Sequence, residues 1–235
     1  MTFRHLLVAV LVGTGACSSA QSSSNLVPQL EQLAERGNAE ALYHLGMAYW
    51  TGTGVSKDIE MAVKYFERAA EKGDPFGAYK LGCLYDGQDG VFAPNPDKAL
   101  EQKLIAARAG YALAQQDVAA LYAKNDEVTL ALEWIEKAAR QGTSGALMTY
   151  ASIHNGAPGI KPDPVKTAAY FRLYIERSEA DAKQRAWIRS FEKKLSAEER
   201  GQVESIVKAY RPEPTPLTLK ALRGADAAED LVARR

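Results

Sequence analysis

Side chains able to do chemistry are few in this chain and poorly grouped. Beyond the first 16 residues there are two histidines, His44 and His154, and neither has a cysteine or carboxylate at metal-ligand spacing. The segment Asp86–Asp97 (DGQDGVFAPNPD) loosely resembles a calcium loop, but such a loop turns on a glycine at its sixth position, where Val91 stands. No G-x-S-x-G elbow, phosphate-binding loop or H-E-x-x-H pair occurs. Glu67, Glu71, Glu133 and Glu136 fall on helix faces rich in Lys and Arg, where solvation explains them. The residues therefore predict no catalytic machinery, no metal and no cofactor.

The cysteines carry a different chemistry. Arg4 and His5 precede an apolar run, Leu6–Val12, then the small residues 13–16, then Cys17. That is the layout of a secretory signal spanning 1–16. Gly15-Ala16-Cys17 resembles the end of a bacterial lipobox, with Thr14 where leucine is usual, so Cys17 is the expected lipidation site. Cleavage by ordinary signal peptidase after Ala16 or Ala20 is the alternative, giving a soluble periplasmic or secreted chain. Lipidation places the chain in the periplasm, anchored by lipid to the outer membrane. With Cys17 committed, Cys83 has no disulfide partner and reads as a packed small hydrophobe.

The 235 residues are 46% hydrophobic and carry zero formal net charge, which supplies a core and offers no basic footprint for nucleic acid. No apolar run reaches the roughly 18–20 residues of a spanning helix. Residues 17–25 are serine-rich and read as a flexible tether. Val27, Leu30, Leu33 and Ala34 then recur at helical spacing before Gly37, which suits a capping helix.

The stretch 38–73 sets a template: an apolar helix, a Gly52-Thr53-Gly54 turn, a second apolar helix begun by Asp58, and a closing glycine. Gly46 sits mid-helix at a cost of about 1 kcal/mol relative to alanine, which points to close approach by the partner helix. The pattern returns over 74–110, 111–142 and 143–178, with closing glycines at 37, 73, 110 and 142. Self-similarity at this period means stacked helical pairs. In the third copy Asn125 and Asp126 replace the glycine turn; in the fourth His154 replaces the tyrosine.

The order LGxxY, GxGV, an aspartate and AxxxxxxAAxxG resembles the Sel-one-like repeat family, a relative of the tetratricopeptide repeat. The resemblance implies an all-α, right-handed α/α solenoid of antiparallel helix pairs over 26–178. A cap follows over 179–211, with a Ser196–Glu199 capping box. Residues 212–235 read as a Pro-rich, polar tail, extended at first, with a short turn of helix over Leu217–Leu222, and frayed at its end.

By analogy with such stacks, the first helices line a concave, protein-binding face. Transferred position by position, that face comprises Glu40, Tyr43, Met47 and Trp50 in the first copy, and Phe76, Tyr79, Cys83 and Asp86 in the second. Leu113, Gln116 and Ala123 follow in the third, and Met148, Ser152 and Asn155 in the fourth. Tyr43, Trp50, Phe76 and Tyr79 would form an aromatic anchor patch, although Tyr43 and Tyr79 suit inter-repeat packing equally well. His44 reads as a surface residue.

The resemblance implies a non-enzymatic interaction protein of the bacterial cell envelope. One role in the family is an immunity protein that neutralises a phospholipase-type effector of type VI secretion. Another is a scaffold lipoprotein for envelope or exopolysaccharide secretion assembly. A β-lactam-acting enzyme is a third reading, but members linked to that activity depend on a disulfide in each repeat, which this chain lacks.

Overall fold

The computed structural model describes residues 17–234, with side chains from residue 26 onward. The expected signal segment, and the side chain of Cys17 with its expected lipid, lie outside the described residues. Thirteen α-helices and one 3-10 turn (Gln88–Gly90), with no strand, make up the described chain. Helix α1 (Cys17–Glu35) leads into four pairs: α2 (Ala39–Thr51) with α3 (Ile59–Glu71), α4 (Pro75–Tyr85) with α5 (Pro96–Arg108), α6 (Ala112–Lys124) with α7 (Val128–Arg140), and α8 (Ser144–His154) with α9 (Pro164–Arg177). Helices α10 (Ala182–Glu192) and α11 (Ala197–Ala209) pack on α9, and α12 (Pro216–Leu222) and α13 (Asp226–Ala233) complete the chain.

Local chemistry sets the boundaries. Asn38, Asp58, Asp74, Asn95 and Asp163 each accept the backbone N–H three residues on, at 2.7–3.1 Å. Asp181–Gln184 and Ser196–Glu199 form full capping boxes. Gly46 explains itself by proximity: a Cβ there would lie 2.5 Å from the Phe66 ring, which has no exposure. The third pair makes its turn without glycine, through Asp126 at φ +61°, a conformation aspartate tolerates better than most residues.

Two expectations fail. The tether expected over 17–25 has helical backbone continuous with α1. Nucleation is the costly step in helix formation, and a helix anchored through buried Val27, Leu30 and Ala34 can propagate back through serines at small cost. The tail is not frayed either. It runs back along the edge where each second helix turns into the next first helix, strapping the last repeat to α1.

The strap is tied to the turns that close the second and third repeats and to the start of α2. Tyr210 Oη donates to the Ala139 carbonyl at 2.6 Å, and the Glu213 N–H to the Arg140 carbonyl at 2.9 Å. Thr215 donates its N–H to Gln141 Oε1 (3.0 Å) and its hydroxyl to the Gly110 carbonyl (2.8 Å). Thr218, N-terminal in α12, accepts the Ala112 N–H at 3.0 Å. Gly110 and Gly142, at φ +97° and +88°, permit this approach: a Cβ would stand 2.9 Å from Thr215 and 2.6 Å from Pro212. Farther on, Lys220 reaches Glu40 at 2.5 Å, and Ala228 of α13 joins the cluster of Val27, Leu30, Leu42 and Leu45. Proline cannot continue a helix, but Pro216 sits at an N-terminal position, where its missing N–H is free of cost.

Candidate partner-binding surface

The first helices α2, α4, α6 and α8 carry every position assigned to partner binding, except Asp86 and Asn155, which cap α4 and α8. The structure sorts these residues into packed and accessible groups. Phe76 is 7% exposed and Tyr43 is largely buried, with their ring centroids 5.3 Å apart. Tyr43 also packs toward Phe66, and Phe76 meets Tyr111 edge-on at 5.3 Å. Tyr79 meets Tyr111 at 5.0 Å and donates to Asp117 at 3.3 Å. Burial raises the Tyr43 and Tyr79 hydroxyls well above the usual phenol range. The four-residue aromatic anchor patch is therefore not a surface: three of its members are inter-repeat packing, because aromatic area is what fills the space between stacked pairs.

Glu40 is committed to the strap through Lys220, with His44 Nε2 3.6 Å away. Burial pushes its carboxyl upward, but these two neighbours outweigh burial and hold it below the usual range. His44 itself is 9% exposed, so the surface reading of that residue was wrong. It faces the strap, which the repeat pattern did not foresee. Met47 is half-buried against the Phe66 cluster. Cys83 is buried and free, and burial pushes its thiol up, as suits an inert packed residue.

Asp86 has a structural partner. Lys103, 1% exposed, lies 2.8 Å from Asp86 and 3.0 Å from Asp117. Burial works against the ammonium, but the hydrogen bonds to both carboxylates outweigh it and raise its pKa. By repeat alignment Asp86 and Lys103 stand where the first repeat has Trp50 and Phe66, whose rings are 6.2 Å apart. An ion pair in the second repeat thus takes the place of an aromatic pair in the first.

The accessible group is smaller. Trp50 is partly exposed, with the Lys80 ammonium 6.0 Å from its ring centroid. Leu113 and Met148 are 43% and 36% exposed, large for apolar side chains, and Gln116 lies against Gly145 between α6 and α8. Ser152, Asn155 and Ala123 are exposed. Among the described residues no cluster of His, Cys, Asp and Glu could hold a metal ion, and no helix is long and apolar enough to cross a membrane.

Asp74 offers a measurable signature of this packing. It caps α4 while only 7% exposed, and burial raises its carboxyl to about 6 despite N–H donors from Gly77 and Phe76. The folded state therefore holds a proton that the unfolded state releases near pH 4, and stability declines as pH rises from 4 to 6. Asp74→Asn keeps the capping oxygen without the buried charge. It is expected to stabilise the chain by roughly 1–3 kcal/mol at pH 7.5, with the gain vanishing at pH 4 in denaturant titrations.

Stacked helix pairs with an exposed strip along their first helices define a helical-repeat interaction module. A family model described as the Sel1 repeat matches residues 39–74, 75–101, 106–143 and 148–176, more than half of the chain, which therefore belongs to the Sel1 repeat family. A crystal structure of a Sel1 repeat protein from Oxalobacter formigenes superposes with a TM-score of 0.62 at 22% identity, covering 89% of this chain and 80% of that one. Over 57 residues (24% of this chain) it is 39% identical to the ERAD-associated E3 ubiquitin-protein ligase component HRD3A of Arabidopsis thaliana. Over 67 residues (28% of this chain) it is 37% identical to the secretory immunoglobulin A-binding protein EsiB of Escherichia coli. These alignments span only 8% and 14% of the two relatives.

Proposed function

We propose that this chain is a protein-binding module of the bacterial cell envelope, acting without catalysis as an immunity protein against a phospholipase-type effector. The observation that carries the binding reading is the set of exposed and partly exposed side chains on the first helices, Trp50 with Lys80, and Leu113, Gln116 and Met148. A partly exposed tryptophan beside a cation has the composition of an interface anchor. The protein-binding description of EsiB is consistent with such a use of the same repeats. The envelope placement rests on the N-terminal sequence, and the effector class on family membership and the compact four-repeat array.

The test is affinity capture from envelope extract with wild type and Trp50→Ala side by side. The variant is expected to lose at least about tenfold in partner affinity while its melting temperature falls by only a few degrees. A captured phospholipase, inhibited by stoichiometric addition of the chain, is the expected result. Capture of polysaccharide-assembly components would support the scaffold role instead, and equal capture by both proteins would remove Trp50 from the interface.

A further inference from the structure

Each repeat latches its internal turn in the same way. A residue in the last turn of the first helix accepts, through its carbonyl, the N–H of the residue that caps the second. Asp58 donates to Tyr49 at 2.9 Å, Asn95 to Tyr85 at 2.7 Å and Glu127 to Tyr122 at 2.9 Å. In the fourth repeat the Asp163 N–H donates to the carbonyl of His154, at 2.9 Å. The His154 side chain is 5% exposed, and its two ring nitrogens are closed to solvent with no hydrogen-bond partner among the described residues. The Tyr150 ring meets it edge-on at 4.6 Å. A neutral imidazole in this place leaves one N–H unsatisfied, whereas an imidazolium leaves two and a charge besides. The charged groups facing it give no relief. Lys166 of α9 repels a cation, the Asp163 carboxylate is occupied by the Lys166 N–H at 2.9 Å, and Glu136 of α7 pairs with Arg140 at 2.6 Å. Tyr150 and Tyr170 stay neutral, since burial raises both hydroxyls. Burial, aided by Lys166, holds the imidazole below its usual range despite the two carboxylates.

We propose that the turn between α8 and α9, residues 155–163, is an acid-opened latch: the closed turn has no place for a protonated His154, so proton uptake expels the ring and releases the Asp163–His154 bond. Most of the turn is already exposed, so its opening uncovers little besides the histidine. An exposed imidazole takes up its proton near pH 6.5. The closed turn is therefore at full stability above that pH and loses stability as pH falls below it. The other three latches carry a phenol in place of the imidazole, and a phenol gains no charge on acidification. The device is confined to the fourth repeat.

Hydrogen–deuterium exchange of the Asp163 amide in the full chain, corrected for its intrinsic rate, tests this. Protection is expected to fall about ten- to thirtyfold between pH 7.5 and 5.0, the upper value being that of a closed form that takes up no proton. The Asp58 and Asn95 amides, which make the same bond in the first two repeats, are internal controls and should not fall. The buried Asp74 carboxyl acts in the opposite direction. His154→Tyr, which restores the residue of the other repeats, is expected to abolish the fall at Asp163. Should that variant fold poorly, the wild-type imidazole decides: its NMR signals are expected to shift in step with the loss of Asp163 protection. Unchanged protection at pH 5.0, an equal fall at Asp58, or an equal fall in His154→Tyr overturns the proposal.

Discussion

Truncation after Arg211 is expected to lower the melting temperature by roughly 10 °C or more, though the residues removed look like a polar tail. The lost segment supplies the hydrogen bonds to Gln141 and to the Gly110 carbonyl, and the Lys220–Glu40 pair. It also covers Val27, Leu30 and Ala48 with Ala228, Leu231 and Val232. Even discounting half-exposed groups, burial and hydrogen bonding together are worth about 3–5 kcal/mol, and about 1 kcal/mol shifts a chain of this size by roughly 2–4 °C. Calorimetry of full-length and truncated protein measures it. A change below about 3 °C would mean that the strap is detached in solution.

Lys103→Ala should be nearly as damaging. Removing the buried ammonium leaves Asp86 and Asp117 without their shared cation and opens space beneath Gly82, whose Cβ position lies 2.6 Å from Lys103 Cγ. Breaking a buried pair typically costs about 3–5 kcal/mol. Here the carboxylates are about a quarter exposed, so water recovers part of the loss and the lower end applies. Lys103→Met with Asp86→Asn and Asp117→Asn fills the volume and removes the charges, and should regain most of the stability. Chemical denaturation of the two proteins distinguishes them; equal losses would show that the ion pair itself, and not the volume or the relief of unpaired carboxylates, is what Lys103 supplies.

What the sequence made legible follows from periodicity. The LG pair, the alanine spacing and the closing glycines recur often enough to identify the helix pairs and the reason for Gly46. Of the strap, the short helix near Leu217–Leu222 was legible, but its docking and α13 escaped, because helices of 7 and 8 residues are too short for a periodic signal and bury alanines, which hydropathy weights weakly. Thr215-Pro216, a cap followed by proline, was the available sign. Lys103 escaped because an isolated lysine reads as solvated; only alignment with Phe66 reveals a core position. The proposed binding surface was half legible: spacing placed its positions on the first helices, but aromatic type pointed to Tyr43 and Phe76, which stacking buries.

The strap also alters how such a chain can reach its native state. Stacked repeats ordinarily contact only their neighbours, so they can fold in order as they emerge from a ribosome or translocon. Here α1 and α13, at opposite ends of the chain, pack on each other. That contact has nearly the largest sequence separation the chain permits, and closing so long a loop is slow. The N-terminal repeat must wait, with Val27, Leu30 and Ala48 incompletely covered, until α13 has been made. Loss of the final helix by early termination or proteolysis would then be felt first at the opposite end of the molecule.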